Sequence, residues 1–470
     1  MSATATTEKK YLKWYQKLAY GSGDLASNCS YGLVSSFVLL YLTGTLGLDS
    51  AIIGSLMLAS KVLDGISDVI FGTLIDRTHS KLGKARPWML FGQVGVSLCL
   101  FLVFAIPAGS TTMQYIYFFI VYTALNAVFY TANGIAYSSL VALITKNNNE
   151  RVQLGSFRFM FAVVTNIFMG FAVTGMVEKF GSGAAGWRTT ALIFAIVGLV
   201  VNTISCLAVK ELPDEELSGN TSEAAEEGKA VAEEKKHGFA ETAKILVHNK
   251  YYLMILAIYI VYYIMSNLTT GAGVFCATYY WGDGSLLGQF SMMKMFPVII
   301  ALAIAPVLIK KTGSMQKVNF WGYAISSVLG IPMIYFAMQK NISMFLLFMF
   351  IKGIFAGTLS GSLNALIAEA SGYTTRTTGV HMDGMMYSCS SLGVKVGGGI
   401  GTAAVGWLLK LGGFVGTATV QSESAIRMIF NLYITFPFVI GIIITVLLAF
   451  LDVEKANKKW DAEHQKEAQA

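Results

Sequence analysis

The chain has 470 residues, of which 54% are hydrophobic and only 13% are charged, and its mean hydropathy is +0.59. This composition excludes an ordinary soluble domain and predicts a membrane protein. The formal net charge of +7 comes from basic residues in short loops, so it does not indicate a nucleic-acid partner. The five cysteines lie in apolar segments without a CxxC pair, which favours buried side chains over disulfides or a metal site.

Apolar stretches long enough to cross a bilayer recur about twelve times along the chain. We therefore predict an all-α polytopic membrane protein with about twelve transmembrane helices in two pseudo-symmetric bundles of six. The predicted spans are 17–43, 51–75, 87–107, 113–143, 154–177, 187–209, 251–281, 285–309, 317–338, 342–370, 377–411 and 426–451.

Lysine and arginine are concentrated in alternate short loops, for example between Arg77 and Arg86 and between Lys310 and Lys317. The positive-inside rule then places both termini in the cytoplasm. The predicted organisation is an N-terminal segment 1–16, a bundle 17–209, a cytoplasmic linker 210–250, a bundle 251–451 and a cytoplasmic tail 452–470.

The second span carries three charged residues, Lys61, Asp64 and Asp68. Their spacing of i, i+3 and i+7 puts them on one side of an α-helix. A charge inside a bilayer is costly, so such a cluster indicates a functional site, and the expected function is cation binding. A purely structural ion pair is the alternative.

The two predicted bundles carry similar turns. An apolar helix end is followed by a short basic turn and another helix both at 72–84 and at 308–317. Duplicated halves joined by a linker are typical of a transporter with its substrate site between the halves.

Several motifs together resemble one transporter family. They are Tyr20-Gly-Ser-Gly-Asp24 with Asn28, Lys61-x-x-Asp64-x-x-x-Asp68, Gly83-Lys84-Ala-Arg86-Pro87-Trp88, Glu150-Arg151 with Arg158, and Asp383 and Ser388 with Lys395. Over essentially the whole chain, this set resembles the glycoside–pentoside–hexuronide:cation symporters, the melibiose-permease-like branch of the major facilitator superfamily. The resemblance implies two rocking bundles in the cell (inner or plasma) membrane. It also implies co-transport of a sugar or sugar acid with Na⁺, H⁺ or Li⁺ by a functional monomer, without another cofactor.

The resemblance also implies a cation site. Asp64 and Asp68 match the family's helix-two carboxylates, and Thr131 matches a threonine of melibiose-type members. Ser67 stands where some Na⁺-using relatives have asparagine, which leaves the ion open between Na⁺ and H⁺. Lys395 matches a lysine expected to face the site and replace the cation when the site is empty. Beyond Na⁺ at the two aspartates, we expect no metal site.

A sugar site is implied by the same resemblance. Arg158 matches an arginine that contacts sugar hydroxyls, while Asn28 replaces an aspartate of melibiose-type members and Asn133 lies beside the position of another. These replacements argue against assuming an α-galactoside and would relieve repulsion of an anionic sugar. The predicted sugar-binding residues are Asp24, Asn28, Tyr31, Asn133, Arg158, Tyr387 and Ser391.

Several charged residues are predicted to act in gating or conformational change, with Asp383 near the cytoplasm. They are Lys61, Asp76, Arg77, Lys84, Arg86, Arg151 and Asp383. Two further lysines, Lys294 and Lys352, lie within apolar spans. Lining of a cavity is one interpretation, and extension of their side chains to the membrane surface is the favoured one.

The leading hypothesis is a secondary active symporter that works by alternating access. One alternative is a lysolipid or amphiphile carrier with the same fold, although the polar set Asn28, Asn133 and Arg158 argues against the apolar cavity it needs. Another is a magnesium-dependent intramembrane prenyl-transfer enzyme. Such enzymes usually need two aspartate-rich sites and the chain shows one, so we expect no catalytic residues.

Overall fold

The structure, a computed structural model, describes residues 9–213, 245–379, 383–418 and 420–467, without the side chains of 383, 384 and 465–467. It is all-helical within these ranges. The long helices are α1 (Trp14–Thr45), α2 (Ser50–Asp76), α3 (Arg86–Val103), α4 (Thr111–Ile144), α5 (Asn148–Lys179), α6 (Gly183–Leu207), α7 (Lys250–Trp281), α8 (Leu286–Thr312), α9 (Met315–Met338), α10 (Ile342–Thr378), α11 (Met385–Leu411) and α12 (Glu423–Phe430, Asn431–Thr435 and Phe436–Phe450).

These helices correspond to the predicted spans. Eleven helices in the described residues are long and apolar enough to cross a membrane. The remaining long helix, α2, has 27 residues, which is ample for a bilayer, and it carries the three charged residues of the second span. The protein is therefore a multi-span membrane protein, as predicted.

One predicted boundary was wrong. Residues 377 and 378 belong to α10 and not to the eleventh span. Gly379 ends α10 with a φ of +71°, and its N–H bonds to the Thr375 carbonyl at 2.8 Å. A glycine in the left-handed region is a common helix terminator, and here it lies beyond the boundary that hydropathy suggested.

Short polar side chains begin several helices. Asp49 accepts the Ala51 N–H at 2.9 Å at the start of α2, and Asn147 accepts the Glu150 N–H at 3.1 Å at the start of α5. Such caps satisfy N–H groups that have no partner inside the helix. They fix where each helix begins.

Two compact units make up the described chain. The first consists mainly of residues up to 213, together with Gly284–Gly288 and Gly413–Gln421, and the second mainly of residues from 245 onward. Each has its own apolar core, around Tyr20 and Tyr137 in the first and around Tyr251 and Tyr259 in the second. Residues 214–244 of the predicted linker lie outside the described residues.

The turn that leads into α3 in the first unit is capped by Glu211, which follows α6. Its carboxylate accepts the N–H groups of Lys84, Ala85 and Arg86 at 2.7, 2.9 and 3.1 Å, at the start of α3. The Arg86 Nε donates to the carbonyl of Cys206 at 3.2 Å. An acidic group at a helix N-terminus stabilises the helix by hydrogen bonding and by its charge.

The second unit repeats this arrangement. Glu454, in a final helix α13 (Val453–Glu467), accepts the N–H groups of Met315 and Gln316 at 2.8 and 3.2 Å at the start of α9. The Gln316 Nε2 donates to the Leu448 carbonyl of α12 at 3.0 Å. The similarity between the two halves that the basic turns suggested thus extends to side-chain contacts far apart in sequence.

Three glycines let α11 lie close against α7. A Cβ atom on Gly397 would lie 3.0 Å from the Ile260 Cα atom, and one on Gly401 would lie 2.6 Å from the Ile264 carbonyl oxygen. Gly393, one turn before Gly397, faces the side chain of Tyr259 in the same way. Small residues at this spacing allow close helix packing inside a membrane.

Candidate cation and substrate sites

The carboxylate of Asp64 lies between two partners in the first unit. Thr131 Oγ1 is 2.6 Å from Asp64 Oδ1, and Lys61 Nζ is 3.3 Å from Asp64 Oδ2. The side chains of Lys61 and Asp64 are 19% and 13% exposed. The ammonium therefore compensates the carboxylate's charge, which stabilises both groups in an apolar helix.

A widened turn in α4 places Thr131. Residues Ala124–Tyr130 form a π-helical turn, and Thr131 follows it directly. The Thr131 hydroxyl also lies 2.9 Å from the Asn126 carbonyl oxygen. Carboxylate, hydroxyl and carbonyl oxygens thus converge, and oxygen ligands of this kind suit a hard cation. Single π-helical turns are frequent at functional sites.

The Asn126 carbonyl was not among the predicted ligands. A backbone carbonyl gives no signal in a sequence, and it reaches Thr131 only because the helix is locally widened. This oxygen is a further candidate ligand that the residue types alone did not indicate.

The other predicted cation-site residues occupy different surroundings. Asp68 is half-buried, one turn after Asp64. The Ser67 hydroxyl donates to the backbone carbonyl of Asp64 at 2.9 Å, within α2. Lys395 is half-buried in the π-helical turn Gly393–Gly397 of α11, in the second unit. Its predicted approach to the aspartates stays a prediction.

Two tyrosines extend the cluster around Lys61. The Lys61 Nζ lies 5.8 Å from the ring centroid of Tyr31, and the Tyr31 and Tyr130 rings stack with centroids 5.6 Å apart. An ammonium near an aromatic face gains a further electrostatic attraction. Tyr31, predicted to bind sugar, is thus a direct neighbour of the cation cluster.

Asp24 and Arg158, two predicted sugar-binding residues, form an ion pair. The Arg158 Nε donates to Asp24 Oδ2 at 2.6 Å, and the guanidinium lies 4.2 Å from the ring centroid of Tyr137. Both charged side chains are half-buried. Guanidinium has five N–H donors, so the Nε bond to Asp24 uses only part of its capacity.

Asn28 continues this polar strip along α1 and α5. Its Nδ2 donates to the Asp24 carbonyl at 2.7 Å, and its Oδ1 accepts from Asn166 Nδ2 at 2.9 Å. Asn166 was missed by sequence reasoning, although it lies eight residues after Arg158 and therefore on nearly the same face of α5.

Asn133 lies elsewhere, in the packing between α3 and α4. It is 2% exposed, and its Nδ2 donates to Gln93 Oε1 at 3.0 Å. Its Oδ1 is buried without a hydrogen-bond partner among the described residues. Its role in binding sugar stays a prediction, and we do not include it among the sugar contacts proposed below.

The predicted substrate residues of the second unit lie on α11. Tyr387 is 40% exposed, and Ser391 is exposed one turn later. The side chain of Asp383 lies outside the described part of the chain, so its predicted gating role is not addressed by these contacts.

Two of the predicted gating residues hold helices of the first unit together. Arg86 is largely buried between α3 and α6, and the Arg151 Nε donates to the Thr145 carbonyl at 3.0 Å across the α4–α5 turn. Asp76 and Arg77 are exposed at the end of α2. Lys84 takes part in the Glu211 contact through its backbone N–H. Gating by any of them stays a prediction.

Glu150 is a buried carboxylate beside Arg151 that the predicted set left out. It is 2% exposed and accepts the N–H groups of Tyr11 and Leu12, both at 3.2 Å. Thr145 Oγ1 donates to it at 2.7 Å, and Lys17 Nζ lies 3.0 Å away. Glu150 therefore binds the segment before α1 to the start of α5.

A cavity of about 190 Å³ lies wholly within the second unit, among α7, α8, α9, α10 and α12. Lys294 and Lys352 both line it. The structure therefore supports cavity lining over the favoured prediction, which was extension of these side chains to the membrane surface.

A family model described as MFS/sugar transport protein matches residues 19–455, nearly the whole chain. The chain belongs to this family. The resemblance inferred from the motifs is thereby confirmed at the level of the family, and this MFS sugar transport protein is a transporter and not an enzyme.

The chain matches known relatives over almost its full length. The isoprimeverose transporter of Lactiplantibacillus pentosus is 26% identical over 466 residues, which cover 98% of this chain and 93% of that protein. The inner membrane symporter YicJ of Escherichia coli (strain K12) is 24% identical over 426 residues, covering 90% and 88%.

The fold is also that of known transporters. A crystal structure of a D-xylose–proton symporter matches with a TM-score of 0.65 at 12% identity, covering 94% of this chain and 98% of that chain. At this identity the match establishes the fold, and it confirms the predicted major facilitator architecture.

Proposed function

We propose that the protein is a secondary active transporter that carries a sugar together with Na⁺ or H⁺ by alternating access. The observation that carries this proposal is the Asp64 carboxylate held between Lys61 and Thr131 inside a sugar-transport fold. A relative that transports isoprimeverose and another described as an inner membrane symporter support it. We further propose an inner-membrane location, cytoplasmic termini, a functional monomer and no cofactor besides the coupling ion.

In the arrangement described here, Lys61 neutralises Asp64. A Na⁺ ion would take the place of the ammonium, with Asp64, the Thr131 hydroxyl and the Asn126 carbonyl as oxygen ligands and Asp68 as a second carboxylate. The Thr131 hydroxyl would turn its proton away and present a lone pair. A coupling proton would instead bind the Asp64 carboxylate directly, and Thr131 would accept its hydrogen bond.

The sugar site is proposed around Asp24, Arg158 and Asn28. A carboxylate accepts and a guanidinium donates, so the pair can bind neighbouring sugar hydroxyls without a net charge. Tyr137, beneath the guanidinium, holds the arginine in place. If cation binding raises sugar affinity, sugar must raise cation affinity by the same factor.

The test is uptake of glycosides, pentosides and hexuronides into membrane vesicles, with Na⁺ and proton gradients applied separately. We expect one gradient to drive accumulation. Asp64→Asn should reduce that accumulation by about tenfold or more, because it removes the carboxylate charge proposed to bind the cation. A tenfold change in an equilibrium constant corresponds to ~1.4 kcal/mol. Glu178→Gln, at an exposed carboxylate of α5 outside the proposed sites, is the matched control and should behave as wild type.

Two results would contradict the proposal. Gradient-driven accumulation that survives in Asp64→Asn would make the Lys61–Asp64 pair structural. Absence of uptake for every sugar in the panel would favour the amphiphile carrier instead.

A further inference from the structure

A second cavity of the second unit, of about 460 Å³, is a groove lined by α8, α9 and α10. Ile304 and Trp321 in its wall are 42% and 61% exposed, so the groove opens at the surface of the unit. Most of the wall is apolar, and it includes Ala301, Ile304, Leu308, Val318, Trp321 and Ile325. Lipid chains are as apolar as these side chains, so a groove of this kind on a membrane-spanning unit suits a lipid chain.

The base of the groove is α10, because α8 and α9 both lie directly against that helix. A Cβ atom on Gly357 of α10 would lie 2.7 Å from the Ala301 Cβ atom of α8. A Cβ atom on Gly322 of α9 would lie 2.5 Å from the Phe355 carbonyl oxygen of α10. The two glycines allow this close packing, and the groove lies over α10 between the other two helices.

The groove has the depth of one leaflet of a bilayer. On α8 it extends from Ala301 to Thr312, and eleven residue steps of 1.5 Å span about 16 Å. The hydrocarbon core of a bilayer is ~30 Å thick, so the groove reaches about half-way through it. Its outer end lies where α8 ends and α9 begins, at Gly313 and Ser314. A phospholipid with one chain in the groove would therefore have its headgroup at this turn.

The turn between α8 and α9 is rich in lysine. Lys310 and Lys311 lie in the last turn of α8, and Lys317 lies in the first turn of α9 and lines the groove. All three are exposed, and their ammonium groups have no hydrogen bond or ion pair within the described part of the chain. A fourth lysine, Lys458 of α13, donates from Nζ to the Gly313 carbonyl at 3.0 Å.

The carboxylate that contacts this turn is already engaged. Glu454 accepts hydrogen bonds from the Ser314 hydroxyl and from the N–H groups of Met315 and Gln316. Further along α13, Asp461 pairs with Arg376 at 3.1 Å. The four lysines therefore leave the turn with a net positive charge.

The headgroup must supply any selectivity of this groove. Acyl chains of different phospholipids fill an apolar groove equally well, because burying them there exchanges one apolar environment for another. Lysines near a membrane surface attract anionic headgroups, and an ammonium bonds a phosphate oxygen through charge-assisted hydrogen bonds. Trp321 lies one turn after Lys317, and its indole N–H is a further donor at this end of the groove.

We propose that this groove binds one phospholipid with an anionic headgroup. One acyl chain would lie along α10 between α8 and α9, and Lys317 would bind the phosphate, with Lys310 and Lys311 adding positive charge. The inference goes beyond the proposed function, because it does not depend on which solute or ion is transported.

The test is native mass spectrometry of the purified full-length protein in detergent, titrated with defined lipids. The probes are palmitoyl-oleoyl phosphatidylglycerol, which is anionic, and the zwitterionic phosphatidylcholine with the same chains. We expect the anionic lipid to bind at least about fivefold more tightly, since one lysine near a membrane surface contributes about that factor. Lys317→Gln should reduce this preference by about fivefold and leave phosphatidylcholine binding nearly unchanged.

Three further variants separate the headgroup contact from the groove. Lys317→Arg retains the charge and should keep the preference. Lys179→Gln changes an exposed lysine at the end of α5 in the first unit and should behave as wild type. Ile304→Trp places a larger side chain in the groove and should weaken binding of both lipids.

Three results would overturn the proposal. The first is equal binding of the two lipids by the wild type. The second is a preference that persists fully in Lys317→Gln, because the headgroup would then be bound elsewhere. The third is displacement of phosphatidylglycerol by inorganic phosphate at the same concentration, since the lysines would then bind a free anion without a chain in the groove. Sugar and ion gradients are absent from this experiment, so failure of the proposed transport function would not change its outcome.

Discussion

The two units treat buried charges differently. In the first unit Lys61 lies against Asp64, Arg158 against Asp24 and Lys17 against Glu150. In the second, Lys294 and Lys352 line a cavity whose described wall holds no carboxylate. A paired charge is stable until a competing ion arrives, whereas an unpaired one is stabilised by binding a ligand of opposite charge. The first unit therefore compensates these buried charges within the protein, whereas the two lysines of the second unit line a cavity without a described carboxylate.

Removing a paired carboxylate should lower the stability of the folded protein more than removing a helix cap or an unpaired lysine. Glu150→Ala would leave Lys17, Thr145 and two backbone N–H groups without their shared acceptor in a buried site. Breaking a buried ion pair in this way typically costs about 3–5 kcal/mol. We expect a clear fall in the melting temperature of the purified protein, measured by intrinsic fluorescence. A melting temperature equal to that of wild type would show that the pair contributes little.

A change in the cation cluster should lower the stability of the protein less than Glu150→Ala does. Its main effect should be on transport. Thr131→Val removes a hydroxyl that bonds Asp64 at 2.6 Å, and a hydrogen bond to a charged group contributes about 1.5–3 kcal/mol. We expect the cation concentration for half-maximal uptake to rise by roughly tenfold. Thr131→Ser keeps the hydroxyl and is the matched control. An unchanged half-saturation in Thr131→Val would exclude the hydroxyl as a ligand.

The repeated helix caps allow a direct comparison of the units. Glu211→Ala and Glu454→Ala each remove the carboxylate that caps α3 or α9. Loss of an N-terminal cap costs about 0.5–2 kcal/mol, so both variants should lose a similar, modest stability. Urea or thermal unfolding of the two variants in parallel measures this. A loss confined to one of them would show that the repeated geometry is not energetically equivalent.

The smallest effect on stability is expected at the cavity of the second unit. Lys352→Met removes an ammonium that has no described hydrogen-bond or ion-pair partner and keeps a similar chain length. Replacing an uncompensated buried charge with an apolar group should leave the melting temperature unchanged or raise it. A loss as large as that of Glu150→Ala would mean that Lys352 is paired, which would remove the contrast between the units.

The sequence by itself determined the features that depend on local periodicity. The helices follow from runs of apolar residues, because a backbone in hydrocarbon must satisfy its own hydrogen bonds. The contact of Lys61 with Asp64 follows from their i, i+3 spacing, since one turn of an α-helix brings such side chains together. The end of α10 was misjudged because hydropathy does not reveal which glycine adopts a positive φ.

Sequence reasoning also named residues without revealing their partners. Asp24 and Arg158 were both predicted to bind sugar, but their ion pair joins positions 134 residues apart and depends on how α1 packs against α5. Asn133 was predicted to bind sugar as well, and its burial beside Gln93 comes from the packing of α3 against α4. A residue type indicates what a side chain can bind, whereas helix packing decides what lies within its reach.

Only the tertiary structure showed the Asn126 carbonyl beside Thr131, the carboxylate caps of Glu211 and Glu454, and the shared cavity of Lys294 and Lys352. Each of these depends on the packing of helices, or on a widened turn within one. Hydrophobic periodicity specifies which residues form a helix, but it carries little information about rotation and depth relative to a neighbour. Those are set by side-chain packing between helices, by close approach at glycines and by polar contacts far apart in sequence.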